Sequence, residues 1–236
     1  MKLVYGEKPL HSYDFHVHTH HSIDSAINPY RITNLAKRSG LKGLAITDHD
    51  TIKGGLDVLQ HAGSDLHVIV GSEIRTDMGE MIGLFLNEEV KSTDPLEVID
   101  IVKSQDGLTI LPHPFRTNIF RRSNTTIATE IAEKVDAIEV INARTSISSN
   151  EKAFLLAKKL NKPMIAGSDA HFHSEMGHAR TLLPLCNNDE ELKRAILEGR
   201  TIVEGKPYNF IRALPFYLLG FVYSRTRKIS QQIHLA

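Results

Sequence analysis

The chain has 236 residues, enough for one large domain, and its 28 basic and 28 acidic side chains balance, so a protein that coats a polyanion is not indicated. The single cysteine, Cys186, excludes a disulfide framework and a cysteine-rich zinc site and favours a reducing compartment, the cytoplasm. The N-terminus lacks the pattern of a signal peptide, and no apolar run is long enough to cross a bilayer, so we expect a cytoplasmic protein without a transmembrane segment.

Short β-rich runs alternate with helical patterns along the chain, which predicts an α/β fold built from βα units. The expected strands are residues 13–19, 43–48, 67–76, 81–87, 108–113, 137–142 and 164–169. The clearest helix lies in "NPYRITNLAKRSG", with Asn28 as N-cap and Pro29 at the first helical position. Two further helices are predicted in "SSNEKAFLLAKKLNKP" and "NNDEELKRAILEGR".

Most of the expected strands end in or near a polar residue. In sheets with this connectivity, ligands bind at the carboxyl ends of the strands, where the following loops converge. We therefore expect the polar residues at these ends to meet in space.

A histidine cluster follows the first expected strand, in "DFHVHTHHSIDS". His16 and His18 are two residues apart on a strand, so their side chains share one face and can reach one ion. Asp24 lies beyond the strand, in a loop that can fold back over the same face. Taken alone, the pair of histidines is only modest support for a metal site.

Ligand-type residues recur at later strand ends. "TDHDT" contains His49, "GSE" contains Glu73, "PHP" contains His113, and "SDAH" contains Asp169 and His171. Imidazoles and carboxylates without thiolates favour zinc, manganese or iron, and the set is larger than one ion can use. The pattern predicts a polynuclear metal site.

These five motifs, in this order and at these intervals, resemble the PHP superfamily, the polymerase and histidinol phosphatase domain. The resemblance covers about residues 13–205. It implies a domain over residues 1–205 that forms a distorted (β/α)7 barrel, with two or three divalent metal ions at the carboxyl ends of the strands. It also implies hydrolysis of phosphoesters by metal-activated hydroxide. Residues 206–236, an apolar stretch followed by basic residues, are expected to form a tail that packs on the barrel or is partly exposed.

The resemblance implies eight metal ligands in three sets: His16, His18, Glu73 and Asp169; His113, with Glu73 as a bridge; and Asp24, His49 and His171. His18, Glu73 and Asp169 are expected at the catalytic centre.

The pattern departs at Asn142, where the family often has a metal-binding histidine. An amide oxygen is a poor transition-metal ligand, so the sequence leaves open whether two or three ions bind.

Four residues are predicted to contact the substrate. Arg116 and Arg144 have guanidinium groups that suit phosphate oxygens, although each could also be an ordinary solvated charge. His20 and His178 could contact the substrate or protonate the leaving group, although a loop role is open for both.

The favoured substrate is a small phosphomonoester or a short nucleotide: a nucleoside monophosphate, a 3',5'-bisphosphate or an oligonucleotide end. Long nucleic acid is not expected, because the chain has no basic stripe with interleaved aromatic residues. Histidinol phosphate hydrolysis is the alternative within the family. An amidohydrolase-like hydrolase and a non-catalytic, metal-binding regulatory domain are the alternatives from other classes.

Overall fold

The computed structural model describes residues 4–5, 8–116 and 129–207, and within them ten strands form one sheet. The strands are β1 (Val4–Tyr5), β2 (Lys8–Val17), β3 (Gly43–Ile46), β4 (His67–Thr76), β5 (Gly79–Leu84), β6 (Leu108–Leu111), β7 (Ala137–Asn142), β8 (Met164–Gly167), β9 (Ala179–Pro184) and β10 (Ile202–Gly205). All seven strands expected from the sequence form; β4 and β7 have the expected bounds, and the other five have shifted ends.

The strand order is β10-β9-β2-β3-β4-β5-β6-β7-β8, and β1 pairs with β2. Strands β2 to β4 are parallel, as are β6 to β8, whereas β5 is antiparallel to both of its neighbours. The fold is therefore mixed α/β with a nearly closed, barrel-like sheet. Seven regular βα units are not confirmed, because β4 and β5 form a hairpin with Thr76 opposite Gly79 and no helix between them.

Six α-helices occur in the described residues: α1 (Ile32–Arg38), α2 (Lys53–His61), α3 (Pro95–Ser104), α4 (Thr129–Lys134), α5 (Ile147–Lys159) and α6 (Asp189–Leu197). A 3-10 turn, Pro29–Arg31, precedes α1, and Asn28 caps it by accepting a hydrogen bond from the Tyr30 N–H. Ser146 and Asn188 cap α5 and α6 through their side chains in the same way. The three helices predicted from the sequence are confirmed.

The barrel closes where the end of β2 meets the segment after β8. The Asp169 N–H donates to the His16 carbonyl at 2.8 Å, and the His18 N–H donates to the Ala170 carbonyl at 2.9 Å. Below these bonds the backbones approach so closely that a Cβ on Gly167 would lie 2.3 Å from the His16 Cβ. Barrel closure therefore holds the segment that contains His16 and His18 directly beside the segment that contains Asp169.

Apolar side chains fill the inside of the barrel below the polar strand ends. Eight strands, β2 to β9, contribute to this cluster, through Phe15, Ala45, Ile69, Ile82, Ile110, Ala137, Ile165 and Leu183. Strand β2 has a register shift between Asp14 and Val17. Because of it, the consecutive residues Phe15 and His16 can both face the interior, Phe15 in the apolar cluster and His16 in the polar one. The apolar layer supports the polar one above it.

Of the tail expected at 206–236, residues 206 and 207 are described and the rest lies outside the described residues, so the boundary at 205 stays a prediction. None of the described helices is long and apolar enough to span a membrane.

Replacing Gly167 by Ala should lower the free energy of unfolding by about 1–3 kcal/mol, because the new methyl group overlaps His16 at the barrel seam. Gly63→Ala is the control, since a Cβ there meets nothing within 4 Å. Chemical denaturation of both variants measures the difference. Equal stability of the two would contradict the close packing of β2 on β8.

Candidate metal centre

All eight predicted ligand side chains come together at the carboxyl ends of the strands. Glu73 lies within β4, and the others lie on β2 or in the loops after β2, β3, β6 and β8. The side chains of His49 and Asp24 are partly exposed at the rim. The buried members are His16, His18, Glu73, His113, Asp169 and His171.

Glu73 lies at the centre of the cluster. Its Oε2 atom is 3.5 Å from Nε2 of His16, 3.3 Å from Nε2 of His18 and 3.2 Å from Nδ1 of His49. Its Oε1 atom is 2.9 Å from Nε2 of His113. One buried carboxylate thus faces four imidazoles, which is the arrangement that a bridging ligand requires.

The two oxygens of Asp169 face different surroundings. Oδ1 lies 3.5 Å from Nε2 of His18 and 3.4 Å from Nδ1 of His171, towards the cluster. Oδ2 accepts hydrogen bonds from Arg116 at 2.9 Å and from the Asn142 amide at 3.3 Å. One oxygen is therefore directed to the histidines while the other is held by protein donors.

Asp24 joins the histidines on the outer side of the cluster. Its Oδ2 atom lies 3.5 Å from Nε2 of His49 and 3.3 Å from Nε2 of His171. One nitrogen from each of His18, His49 and His171 falls within a single group of atoms no more than 4.8 Å apart. These four residues form a second cluster that shares His18 with the one around Glu73.

Hydrogen bonds fix the tautomers of the two central histidines. Nδ1–H of His16 donates to Glu139 at 3.0 Å. Nδ1–H of His18 donates at 3.1 Å to the Ser22 hydroxyl, whose own proton goes to Asp48 at 2.7 Å. In the neutral rings both Nε2 atoms therefore carry lone pairs, and they lie only 3.1 Å apart. Two Nε2 atoms at this distance share a cation, which is a metal ion when one is bound and a proton on His16 when metal is absent. Burial opposes charge on His16, but the carboxylates of Glu139, Glu73 and Asp169 outweigh it and raise its pKa.

Asp48, which the ligand sets omit, holds the loop after β2. Its buried carboxylate accepts hydrogen bonds from the backbone N–H and the hydroxyl of Thr19 and from both the N–H and the hydroxyl of Ser22. Through Ser22 it also orients the His18 ring. Carboxylates placed behind ligating histidines raise their basicity and fix their orientation.

Glu139 is a functional residue that the motifs miss. It is 1% exposed in β7, where its Oε1 accepts from His16 and its Oε2 accepts from the His113 N–H at 2.9 Å. Although it lies close enough to His16 and His113 to count as a ligand, both of its oxygens are engaged by donors. It therefore orients two histidines. An acidic residue inside the apolar strand "AIEVIN" was the signal available in the sequence.

Asn142 points inward and is fully buried. Its amide nitrogen donates to Glu139 at 3.0 Å and to Asp169 at 3.3 Å, and its oxygen accepts from the Arg144 N–H at 2.9 Å. Both ends of the amide are occupied by protein partners, so Asn142 positions two carboxylates.

The four predicted substrate contacts lie in different places. Arg116 is at the edge of the cluster, with a side chain 35% exposed beside Asp169, and the backbone of Arg144 is tied to Asn142 nearby. His20 lies in the loop after β2 with its ring tilted against that of His21, the centroids 5.0 Å apart. His178 precedes β9, and its Nδ1 lies 3.0 Å from the Glu175 carbonyl. Their contact with a substrate stays a prediction.

The histidines of the cluster differ in their protonation state, because their pKa values are shifted in opposite directions. Burial and the neighbouring His171 lower the pKa of His18 to about 3, which keeps that ring neutral. Burial also opposes charge on His49, but the carboxylates of Asp24 and Glu73 prevail and raise its pKa to about 9. A cation that binds His49 must displace this proton.

The donor set fits a divalent metal. Among the described residues, buried Oδ1 of Asp24 makes no hydrogen bond, and neither does buried Nδ1 of His49, although it lies 3.2 Å from Glu73; such atoms are costly unless something else binds them. His113 and Asp169 both adopt left-handed backbone conformations, with φ of 26° and 54°, which carry strain and are common at functional sites. Nitrogen and oxygen ligands without sulfur suit manganese, zinc or iron.

The PHP-associated family model matches residues 148–201, a segment that includes Asp169 and His171. The chain belongs to the PHP superfamily. Two uncharacterized proteins of Methanocaldococcus jannaschii are similar in sequence: one is 42% identical over 114 residues, which cover 43% of this chain and 67% of that protein. The other is 44% identical over 116 residues, covering 47% of this chain and 49% of its own length, so the match spans about half of that relative.

Solved structures share the fold of this PHP protein at low sequence identity. A Bifidobacterium adolescentis protein proposed to be a metal-dependent phosphoesterase has a TM-score of 0.60 at 19% identity, covering 87% of this chain and 99% of that one. An amidohydrolase from Chromobacterium violaceum has a TM-score of 0.58 at 16% identity, with coverages of 80% and 97%. The lesion-specific endonuclease EndoQ from Pyrococcus furiosus has a TM-score of 0.64 at 16% identity, with coverages of 82% and 57%.

Replacing Glu139 by Gln should weaken manganese binding by about 10- to 100-fold, because the amide no longer holds the His16 and His113 segments as ligands need. Isothermal titration calorimetry measures the affinity. Glu133→Gln, an exposed position with the same change of charge, is the control. Equal affinities for both variants would mean that Glu139 does not support the site.

Metal binding at pH 7.5 should release protons, because neighbouring carboxylates outweigh burial and raise the pKa values of His16, His113 and His49, that of His49 to about 9, and each ring must lose a proton to become a ligand. Affinity should accordingly rise with pH up to about 9. Calorimetry in buffers of different ionisation enthalpy counts the protons released. Binding without proton release would argue against His49 as a ligand.

Proposed function

We propose that this PHP protein is a metal-dependent phosphoesterase that hydrolyses a small phosphomonoester or a short nucleotide. Its membership of the superfamily supports hydrolysis of phosphoric esters. The preferred substrates are a nucleoside monophosphate, a 3',5'-bisphosphate or an oligonucleotide end.

The proposal rests above all on the surroundings of Glu73. A carboxylate within 3.5 Å of nitrogens from His16, His18 and His49, and within 2.9 Å of His113, can bridge two cations. Asp169 and the cluster around Asp24 extend the donor set on either side. We assign the eight ligands as the sequence predicts, and propose two or three ions of manganese, zinc or iron.

Bound divalent ions supply a nucleophile at neutral pH by lowering the pKa of water, and they offset charge on the phosphoryl oxygens. The protein's part is to hold the donors rigidly: Glu139, Asp48 and Asn142 fix the ligands through buried hydrogen bonds. Fixed donors lower the reorganisation that the reaction needs.

The arginines provide the anion recognition. Arg116 places its guanidinium next to Asp169 and remains partly exposed, so its N–H groups that do not contact Asp169 can bind phosphoryl oxygens. Arg144 follows β7 close by and suits a second phosphate or the other oxygens of the same one. His20 and His178 are our candidates for substrate contact and for protonation of the leaving group.

The balanced charge of the chain supports a small substrate over long nucleic acid. Histidinol phosphate remains the alternative within the family. The amidohydrolase reading has a structural neighbour of that description, but the strands of this chain do not end in the lysine that such barrels typically use.

Phosphate release identifies the substrate. The purified protein is stripped of metal, reloaded with manganese, zinc or iron, and assayed on nucleoside monophosphates, 3',5'-bisphosphates, short oligonucleotides, histidinol phosphate and a chromogenic phosphodiester. Metal-dependent turnover of one class is expected. Bound metal without turnover on any of them would favour the amidohydrolase or the non-catalytic alternative.

Replacing His16 and His18 together by Ala should abolish hydrolysis, at least about 1,000-fold, because both rings carry lone pairs into the centre. The matched control replaces His11 and His61, which lie away from the cluster, and should keep wild-type turnover. Circular dichroism verifies that both double variants are folded. Retained turnover in the His16/His18 variant would dismiss this site.

A further inference from the structure

Of the eight predicted ligands, His113 and the bridging Glu73 are assigned to the ion at His113, and two ligands are too few to hold it. His113 faces Oε1 of Glu73 at 2.9 Å, and an ion held there needs about four donors in all. Asn142 cannot help, because both ends of its amide have protein partners, and Glu139 is engaged on both oxygens. A further side chain on this side would complete the set.

The β4–β5 hairpin places Glu80 at this point. Glu73 lies opposite Ile82, and Arg75 lies opposite Glu80, so these residues share one face of the hairpin. Ile82 belongs to the apolar cluster inside the barrel, which identifies this face as the inner one. Glu80 therefore points inward, one step nearer the rim than Glu73.

The distances agree with the register. Oε2 of Glu80 is 3.8 Å from Nε2 of His113. Glu80 also offers an oxygen to a group with His49 and Glu73 whose donor atoms all lie within 4.8 Å of one another. Glu80 is thus within reach of three residues that already belong to the centre.

The charges also favour a cation between Glu73 and Glu80. The cross-strand neighbour Arg75, the natural partner for Glu80, is bound by Asp50 through its backbone N–H and its guanidinium. Two carboxylates then face one another in a largely buried setting, where like charges repel strongly. A divalent ion shared by Glu73, Glu80 and His113 removes this repulsion.

We propose that Glu80 is a ligand of the ion at His113, completing with Glu73 the donor set that Asn142 does not supply. The inference rests on the proposed metal centre but not on any substrate. It adds a ninth protein ligand, from β5, to the eight on the other strands and loops.

Metal counting tests the assignment. The wild type and Glu80→Gln are stripped, dialysed against graded free Mn²⁺ and analysed by inductively coupled plasma mass spectrometry. We expect Glu80→Gln to bind one ion fewer per chain, or to bind one ion at least about 10-fold more weakly, with the remaining sites unchanged. Glu80→Ala, which introduces no amide, should show the same loss or weakening of one ion as Glu80→Gln.

Glu88→Gln is the matched control, since Glu88 is exposed and the charge change is the same. Wild-type stoichiometry and affinities in the Glu80 variants would overturn the proposal. So would equal weakening of every ion, which indicates a long-range charge effect, or a wild type that binds one ion or none. No substrate enters this measurement, so absence of hydrolysis would defeat the proposed function without touching the assignment of Glu80.

Discussion

The interaction on which the site depends is that of one buried carboxylate, Glu73, with four imidazoles. Burying such a group costs several kcal/mol unless its charge is compensated. Two of the rings, His16 and His18, donate Nδ1–H hydrogen bonds to Glu139 and Ser22, so their Nε2 atoms, which carry lone pairs when the rings are neutral, face Glu73 and each other. Lone pairs and a carboxylate together form an electron-rich centre, and divalent cations are what stabilise it.

The fold is arranged to hold this centre. The interior apolar layer keeps water from below, and the seam between β2 and the segment after β8 binds the His16 and Asp169 backbones directly to each other. Behind the ligands, Asp48, Glu139 and Asn142 are saturated with hydrogen bonds. The left-handed backbone of His113 and Asp169 persists because these contacts over-determine it.

Much of this could be predicted from the sequence, for a physical reason. The carboxyl ends of parallel strands lie at one edge of a sheet, so "DFHVH", "TDHD" and "SDAH" had to converge once their strands were recognised. The caps at Asn28, Ser146 and Asn188 are local signals and were equally readable.

Other features depend on tertiary contacts that no local pattern encodes. The antiparallel direction of β5 follows from a tight hairpin, and that direction brings Glu80 inward. Glu139 looked like an ordinary acidic residue in a strand until the structure placed His16 and His113 around it. Strands β9 and β10 were not expected at all, since β9 pairs with the start of β2, far away in the sequence.

Anomalous X-ray diffraction from crystals grown with Mn²⁺ tests the central claim, that the Glu73 cluster is a polynuclear metal centre, most directly. The account predicts at least two anomalous peaks within bonding distance of Glu73, one shared with Nε2 of His16 and His18 and one with His113. A fully occupied lattice with no peak in this cluster, or with a single peak that does not contact Glu73, would contradict it.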